Sequence, residues 1–205
     1  MTNLEILHAY GNCGISDADL SQMNLIKLNA SWNDKIRKVA HMSKLQSLSA
    51  EGGFDIPGIT DSELSNLNLK VLKVTNNSNI IKISHMSNLT KLAADGRDCD
   101  IGDKELCNLN LTVLYANNNS NITTVNHMNN LIKLDADGIS GIDDIGLSKV
   151  NLIELSIKSN PKITNIKHMT KLKFLCFNKE SRFQESDICN LQNKKILYYK
   201  DEDID

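Results

Sequence analysis

Residues 111–131 read LTVLYANNNSNITTVNHMNNL, and three other stretches of the chain follow the same pattern. They are LIKLNASWNDKIRKVAHMSKL from Leu25, LKVLKVTNNSNIIKISHMSNL from Leu69 and LIELSIKSNPKITNIKHMTKL from Leu152. Each opens with Leu-x-x-Leu-x-apolar. Its last two apolar positions are two residues apart, which is the period of a strand with one face toward a core. The pattern therefore predicts one short strand at the start of each stretch.

The same opening recurs through almost the whole chain, at steps of 20 to 24 residues. It begins at Leu4, Leu25, Leu45, Leu69, Leu89, Leu111, Leu131, Leu152 and Leu172. A further strand is predicted at Ile196–Tyr199. A single unit of this size cannot bury its apolar side, whereas stacked units bury a continuous column of side chains. The repeats therefore predict a solenoid.

This pattern resembles the leucine-rich repeat family. The resemblance implies an α/β fold, a right-handed horseshoe whose concave face is a parallel β-sheet of nine or ten short strands. Turns and short helices then form the convex face. We expect a single leucine-rich repeat domain over residues 1–205, with about nine repeats and an atypical C-terminal capping unit over residues 172–205.

Two kinds of repeat alternate. The even repeats, those quoted above, resemble the short class of the family found in phosphatase regulators and bacterial internalins. They share an asparagine at one repeat position, which is occupied by Asn33, Asn77, Asn119 and Asn160. A turn that leaves a strand exposes peptide groups that a short amide side chain can satisfy. The resemblance likewise implies an asparagine ladder that bonds the backbone of neighbouring turns.

The odd repeats differ after the strand, and they resemble the longer class of F-box substrate adaptors. Ser16 with Asp19 and Thr60 with Glu63 match or approximate capping boxes, so we expect short convex helices that run to Asn24, Asn68, Asn110 and Asn151. Gly11, Gly52, Gly96 and Gly138 indicate a tight turn after each odd strand.

Composition excludes several classes of protein. The net charge is −2, from 23 basic and 25 acidic side chains, with no basic stripe, so no nucleic-acid partner is expected. No apolar run approaches the roughly 18 residues of a membrane span, and the N-terminus does not resemble a signal peptide. The five cysteines lack a framework spacing, which indicates a reducing, cytoplasmic location.

The codon usage behind the composition suggests a source. Asn, Lys and Ile make up about a third of the chain, as in the proteins of AT-rich genomes such as those of giant viruses. For a protein of viral or parasite origin, the expected location is the host cytoplasm.

Four histidines share one repeat position, each followed by Met: His41, His85, His127 and His168. They recur every second repeat, so neighbours lie roughly 10 Å apart. One zinc ion needs ligands at about 2.1 Å, and this spacing forbids it. We therefore expect no metal, with Met in the core and the imidazole bonded to backbone. The chain also lacks nucleotide-binding motifs, so no cofactor and no catalytic residues are predicted.

The concave face is the candidate binding surface. Its predicted patch consists of Lys73, Lys91, Asp95, Tyr115, Lys133, Asp135 and Asp137, with Tyr115 as the best anchor. Its charges alternate, which suits a partner of mixed charge. Charge complementarity of this kind sets orientation and association rate more than affinity.

The sequence therefore predicts a non-catalytic scaffold that binds an unidentified protein partner. Two alternatives stay open: a substrate-recognition adaptor of a ubiquitin ligase, and an effector that acts on host proteins. The strand at Leu4 has no preceding cap in the sequence, and an uncapped edge strand invites self-association.

Overall fold

The computed structural model of the protein describes residues 3–53, residues 58–182 and the strand Leu197–Lys200. The chain forms two compact units, Met1–Leu109 and Asn110–Asp205, named unit 1 and unit 2 below. Each unit is a parallel β-solenoid to which every repeat gives one short strand. The repeat architecture is thereby confirmed, while the single domain over residues 1–205 stays a prediction.

Unit 1 has five strands and three helices within its described residues. The strands are β1 (Ile6–His8), β2 (Lys27–Asn29), β3 (Ser47–Ser49), β4 (Val71–Lys73) and β5 (Lys91–Ala93). The helices are α1 (Asp17–Leu20), α2 (Asp61–Leu64) and α3 (Asp103–Leu106). Each strand pairs in parallel with the next, and the central leucine of one lies opposite the central leucine of the other.

Unit 2 has five strands in its described part. They are β6 (Val113–Tyr115), β7 (Lys133–Asp135), β8 (Glu154–Ser156), β9 (Phe174–Phe177) and β10 (Leu197–Lys200). They pair in parallel and in the same register. The final strand lies one residue later than predicted. The rest of the predicted capping unit, residues 183–196 and 201–205, lies outside the described residues.

The core of each unit is aliphatic, as the repeat pattern predicts. The central leucines of β2 to β9 are at most 2% exposed: Leu28, Leu48, Leu72, Leu92, Leu114, Leu134, Leu155 and Leu175. The Met of each His-Met pair is at most 1% exposed. Complete burial of one such side chain stabilises the fold by about 1.5–3 kcal/mol, so each of these leucines contributes to the stability of its unit.

The helices of the odd repeats are shorter than predicted. They end at Leu20, Leu64 and Leu106, four residues before the expected asparagines. The fourth odd repeat forms turns instead of a helix. There, a Cβ built on Gly146 would overlap the carbonyl oxygen of Thr123, so the backbone passes too close to the preceding repeat for any larger residue.

Only one of the two predicted capping boxes is formed. Asp19 Oδ2 accepts hydrogen bonds from Ser16 N and Ser16 Oγ, both at 2.9 Å. These bonds hold the pKa of Asp19 below its usual value. The box predicted for Thr60 and Glu63 is wrong. Glu63, one methylene longer than Asp19, reaches the preceding repeat, where its Oε2 accepts Val39 N at 2.9 Å and Ala40 N at 3.1 Å.

The fourth residue after each central leucine takes the left-handed conformation in most repeats. The odd repeats use glycine there, with φ between 60° and 97° at Gly11, Gly96 and Gly138. The even repeats use other residues, with φ between 53° and 62° at Trp32, Asn76, Asn118 and Ser159. The expected tight turn is therefore confirmed at three of four glycines, and it is wrong for Gly52, whose φ is not in this region.

The asparagine ladder is confirmed within each unit. Asn33 Nδ2 donates to Ala9 O at 2.8 Å and to Ile15 O at 3.1 Å. Asn160 Nδ2 donates in the same way to Ala136 O at 2.8 Å and to Ile142 O at 3.3 Å. All four ladder asparagines are at most 5% exposed. Asn33, Asn77 and Asn160 bind their even repeats to the odd repeat before each of them.

Two further ladders were not predicted. In the first, a carboxylate of an odd repeat accepts two consecutive backbone N–H groups of the next even repeat at 2.7–2.9 Å; the carboxylates are those of Asp17, Asp61 and Asp144. In the second, the side-chain amide oxygen of an asparagine accepts a hydrogen bond from one backbone N–H of the next repeat at 2.9–3.2 Å. These asparagines are Asn24, Asn68, Asn110 and Asn151. No buried side-chain N or O atom in the described part of the chain lacks a partner.

Candidate binding surface on the sheet faces

The sheet face of each unit consists of three rows of side chains that lie on the side of the strands away from the leucine core. The amino row contains the first residue of each strand and the middle row contains the third. The carboxyl row contains the residue two positions beyond the middle row. These names are used for both units.

The structure places all seven predicted binding residues on the sheet faces. Unit 1 contains Lys73, Lys91 and Asp95, and unit 2 contains Tyr115, Lys133, Asp135 and Asp137. Lys73 is exposed and the other six are half-buried. In unit 2 the structure brings Tyr115, Lys133 and Asp135 together on two adjacent strands. A single patch through both units stays a prediction.

The centre of the unit 2 sheet face is a cluster around one lysine. Lys133 Nζ lies 3.3 Å from Glu154 Oε2 and 4.0 Å from Asp135 Oδ1. It also lies 5.5 Å from the centroid of the Tyr115 ring, within the range of a cation–π contact. Burial alone would lower the pKa of Lys133, but Asp135, Glu154 and Tyr115 together outweigh burial and raise it. The ammonium group is thus held charged and in place.

Glu154 belongs to this cluster, although it was absent from the predicted patch. It lies directly opposite Lys133 in the pairing of β7 with β8. Opposite charges at paired positions of adjacent strands attract each other, and this signal was available from the aligned repeats. The name lysine cluster is used below for Tyr115, Lys133, Asp135 and Glu154.

A shallow depression of about 100 Å³ adjoins the lysine cluster. It is lined by Lys133, Asp135, Glu154, Ser156, Phe174 and Cys176, with Leu155 and Leu175 beneath them. Phe174 is 44% exposed at its edge. The unit 2 face therefore combines fixed charges with exposed aromatic surface over a short distance.

The two predicted acidic residues of the carboxyl row have structural roles. Asp137 Oδ1 accepts hydrogen bonds from Ser156 Oγ at 2.7 Å and from Lys158 N at 2.8 Å. Asp95 Oδ2 accepts a bond from Thr75 Oγ1 at 3.4 Å. These carboxylates hold neighbouring turns, so they offer less of their hydrogen-bonding capacity to a partner than the predicted patch assumed.

The unit 1 sheet face differs from that of unit 2 because its charges occupy separate rows. The amino and middle rows carry Lys27, Lys73 and Lys91 without a carboxylate, and the carboxyl row carries Glu51 and Asp95 without a basic residue. Each unit thus presents a distinct charge pattern on the same backbone geometry.

Two exposed aromatic side chains lie at the carboxyl ends of β1 and β2. Tyr10 is 62% exposed and Trp32 is 49% exposed. Trp32 also has a φ of 62°, in the left-handed region that costs a non-glycine residue about 1–2 kcal/mol. A bulky residue held there is a reason to look for a function.

The His-Met row is structural in the repeats where its contacts are described. His41 Nε2 lies 3.1 Å from Leu20 O, His85 Nε2 3.0 Å from Leu64 O, and His168 Nε2 3.2 Å from Leu147 O. The expected imidazole-to-backbone bond is therefore confirmed at these three positions. Within the described residues no group of three His, Cys, Asp or Glu side chains could hold a metal ion.

Four of the five cysteines lie in the described residues, and they differ in exposure. Cys99 is fully buried, and burial raises the pKa of its thiol to about 12, which leaves it protonated at neutral pH. Cys13 and Cys107 are exposed and Cys176 is half-buried on the unit 2 sheet face. Since the thiolate is the reactive form, Cys99 is the least reactive of these four.

Comparisons with models of known protein families and with curated protein sequences find no match for this chain. Across the residues that the structure describes, no helix has the length and apolar character needed to cross a membrane.

Proposed function

We propose that the protein is a non-catalytic, protein-binding solenoid of the leucine-rich repeat type whose partner binds the sheet faces. Several features support this assignment: the repeat of 20 to 24 residues, the parallel in-register strands and the asparagine ladder. The alternating short and long repeats fit the same family. The cytoplasm is the proposed location.

The lysine cluster carries the proposal. Its charges are already paired within the protein, so a partner does not have to order Lys133 on binding. Beside it, Tyr115 and the 44% exposed Phe174 offer aromatic surface. Tyr and Trp are enriched among the residues that dominate binding energy, and such residues cluster where a partner excludes water. A protein partner of mixed charge fits this combination best.

The test begins with affinity capture of the tagged protein from its native cell and mass spectrometry of what is retained. Binding of the recovered partner is then measured by calorimetry for the wild type and for Tyr115→Ala. We expect this substitution to cost about 2 kcal/mol or more of binding with little loss of stability. Equal affinity of the Tyr115→Ala variant would contradict the assignment of the lysine cluster.

The matched control is Lys104→Ala on helix α3, which should leave binding unchanged. Should Lys104→Ala weaken the complex while Tyr115→Ala does not, the partner binds the other side of the repeats. Recovery of ubiquitin-ligase subunits would favour the adaptor alternative, and recovery of host proteins alone would favour the effector. Recovery of only the protein itself would favour self-association, for which β1 is the proposed edge.

A further inference from the structure

The unit 1 sheet face separates positive from negative charge along the strand direction. Lys27 and Lys91 lie in the amino row, and Glu51 and Asp95 lie in the carboxyl row. These rows are four residues apart, which is about 13 Å at 3.3 Å per residue. A partner that crosses this face along the strands therefore meets opposite charges at its two ends.

Two exposed aromatic side chains of unit 1 lie at its carboxyl row: Tyr10 belongs to the row, and Trp32 directly follows the row residue Ser31. Gly11 N donates to Ser31 O, and Trp32 N donates to Glu51 O, both at 2.8 Å. These bonds place the turn of Tyr10 beside that of Trp32, and the turn of Trp32 beside that of Glu51. The name acidic–aromatic edge is used below for Tyr10, Trp32 and Glu51.

Tryptophan is an unusual residue for the left-handed backbone conformation of Trp32, which glycine adopts at the same place in three odd repeats. Its side chain is half exposed, so core packing does not account for a tryptophan here. Trp32, Glu51 and Gly52 are among the residues that line a small recess. In the part of the chain that the structure describes, no ion pair engages Glu51.

The chemistry of this edge selects a cation. The face of an aromatic ring is its negative region and attracts ammonium and guanidinium groups, with tryptophan the strongest of the aromatic side chains. A carboxylate on the adjacent turn adds a charge-assisted hydrogen bond to the same group. An anionic side chain would be repelled by both features.

We propose that the acidic–aromatic edge binds an arginine side chain in an extended segment of the protein partner. A carboxylate about four residues from that arginine then lies over the lysines of the amino row. This inference rests on the proposed function, because it names the chemistry by which a protein partner recognises unit 1.

Trp32 is the only tryptophan of the chain, so its fluorescence reports on the edge directly. The probe is the peptide acetyl-Glu-Gly-Ser-Gly-Arg-amide, titrated up to about 10 mM so that dissociation constants in the millimolar range are covered. We expect a saturable change in tryptophan fluorescence that weakens as salt is raised. The control peptide, with citrulline in place of arginine, has nearly the same shape and no charge, and should bind at least about fivefold more weakly.

Variants assign the effect to the edge. Glu51→Gln should weaken binding of the arginine peptide about fivefold, whereas Glu105→Gln on helix α3, the matched loss of one carboxylate, should not. Trp32→Gly should abolish binding measured by calorimetry, with Ser159→Gly as the control for glycine at the same repeat position. Thermal melting confirms that each variant is folded.

Absence of a saturable signal, or equal binding of the citrulline peptide, overturns the inference. So does a captured partner that loses affinity with Tyr115→Ala but not with Glu51→Gln or Trp32→Gly. That last result leaves the proposed function standing. If neither Tyr115→Ala nor the two unit 1 variants weaken binding of the partner, the proposed function is contradicted as well.

Discussion

The two units build the same strand ladder and present different surfaces on it. In unit 2, Lys133 lies within 4.0 Å of a carboxylate oxygen of both Asp135 and Glu154, so opposite charges are adjacent. In unit 1, the lysines and the carboxylates of the sheet face lie in different rows. The inward leucines are interchangeable between units, whereas the outward residues are not. The core and the surface that differs between the units therefore occupy alternate positions of the same short strands.

The largest expected effect on stability is that of truncating a core leucine, and it should be similar in the two units. Leu72→Ala in unit 1 and Leu114→Ala in unit 2 each remove a fully buried side chain, and each should cost about 2–5 kcal/mol by leaving a cavity. Chemical denaturation of both variants gives the two free energies of unfolding. A cost below about 1 kcal/mol for either leucine would show that its unit is not packed as described.

The glycines that follow the odd strands sharpen the comparison. Gly138 in unit 2 has a φ of 66°, and a Cβ there would overlap Asn118 Oδ1. Gly138→Ala should therefore cost about 2 kcal/mol, through left-handed strain and displacement of the asparagine.

Gly52 in unit 1 is the matched control for that substitution. Its φ lies outside the left-handed region and a Cβ there meets nothing within 4 Å. Gly52→Ala should change stability by less than about 1 kcal/mol, and in the stabilising direction, because it restricts the unfolded chain. Equal costs at the two glycines would contradict the distinction between their turns.

The sheet-face lysines should show the smallest effect. Lys133→Ala removes two ion pairs and a cation–π contact at a side chain that is 31% exposed, and should cost no more than about 1 kcal/mol. Lys73→Ala, an exposed lysine of unit 1, should stay within about 0.5 kcal/mol of the wild type. Thermal unfolding at low and high salt separates them, since only the Lys133→Ala difference should shrink as salt is added. A salt-sensitive loss at Lys73 instead would reverse the comparison.

Features that recur at a fixed place in every repeat, or in every repeat of one kind, were predictable from the sequence. The buried leucines, the ladder asparagines and the imidazole-to-backbone bonds all follow from one residue type at one position. Such positions can be interpreted without knowing which neighbour they contact, because stacking gives every copy the same surroundings.

Contacts that depend on side-chain reach were not predictable in the same way. Asp19 and Glu63 occupy equivalent places after Ser16 and Thr60, yet one caps its own helix and the other bonds the preceding repeat. The difference is a single methylene combined with the exact distance between turns. Asp17 and Asp61 likewise look like ordinary helix-start residues until the next repeat is placed beside them.

The candidate site shows the same limit. Tyr115, Lys133 and Asp135 were predicted because alternation alone places them on the outward side. The part of Asp137 in holding a turn depends on the backbone N–H of Lys158, 21 residues away. The left-handed φ of Trp32 could not be predicted either, because the sequence has a tryptophan where the comparable repeats have Asn or Ser.

The fit between Asn76 and Gly96, repeated by Asn118 and Gly138, sets how such an array can grow. Each asparagine occupies the space left by the missing side chain of the glycine in the following turn. Deleting one repeat would bring two asparagine turns or two glycine turns together, creating a collision or a hole. The smallest segment that contains both partners of this fit is therefore the double repeat, whose length of 41 to 44 residues separates Leu25, Leu69, Leu111 and Leu152.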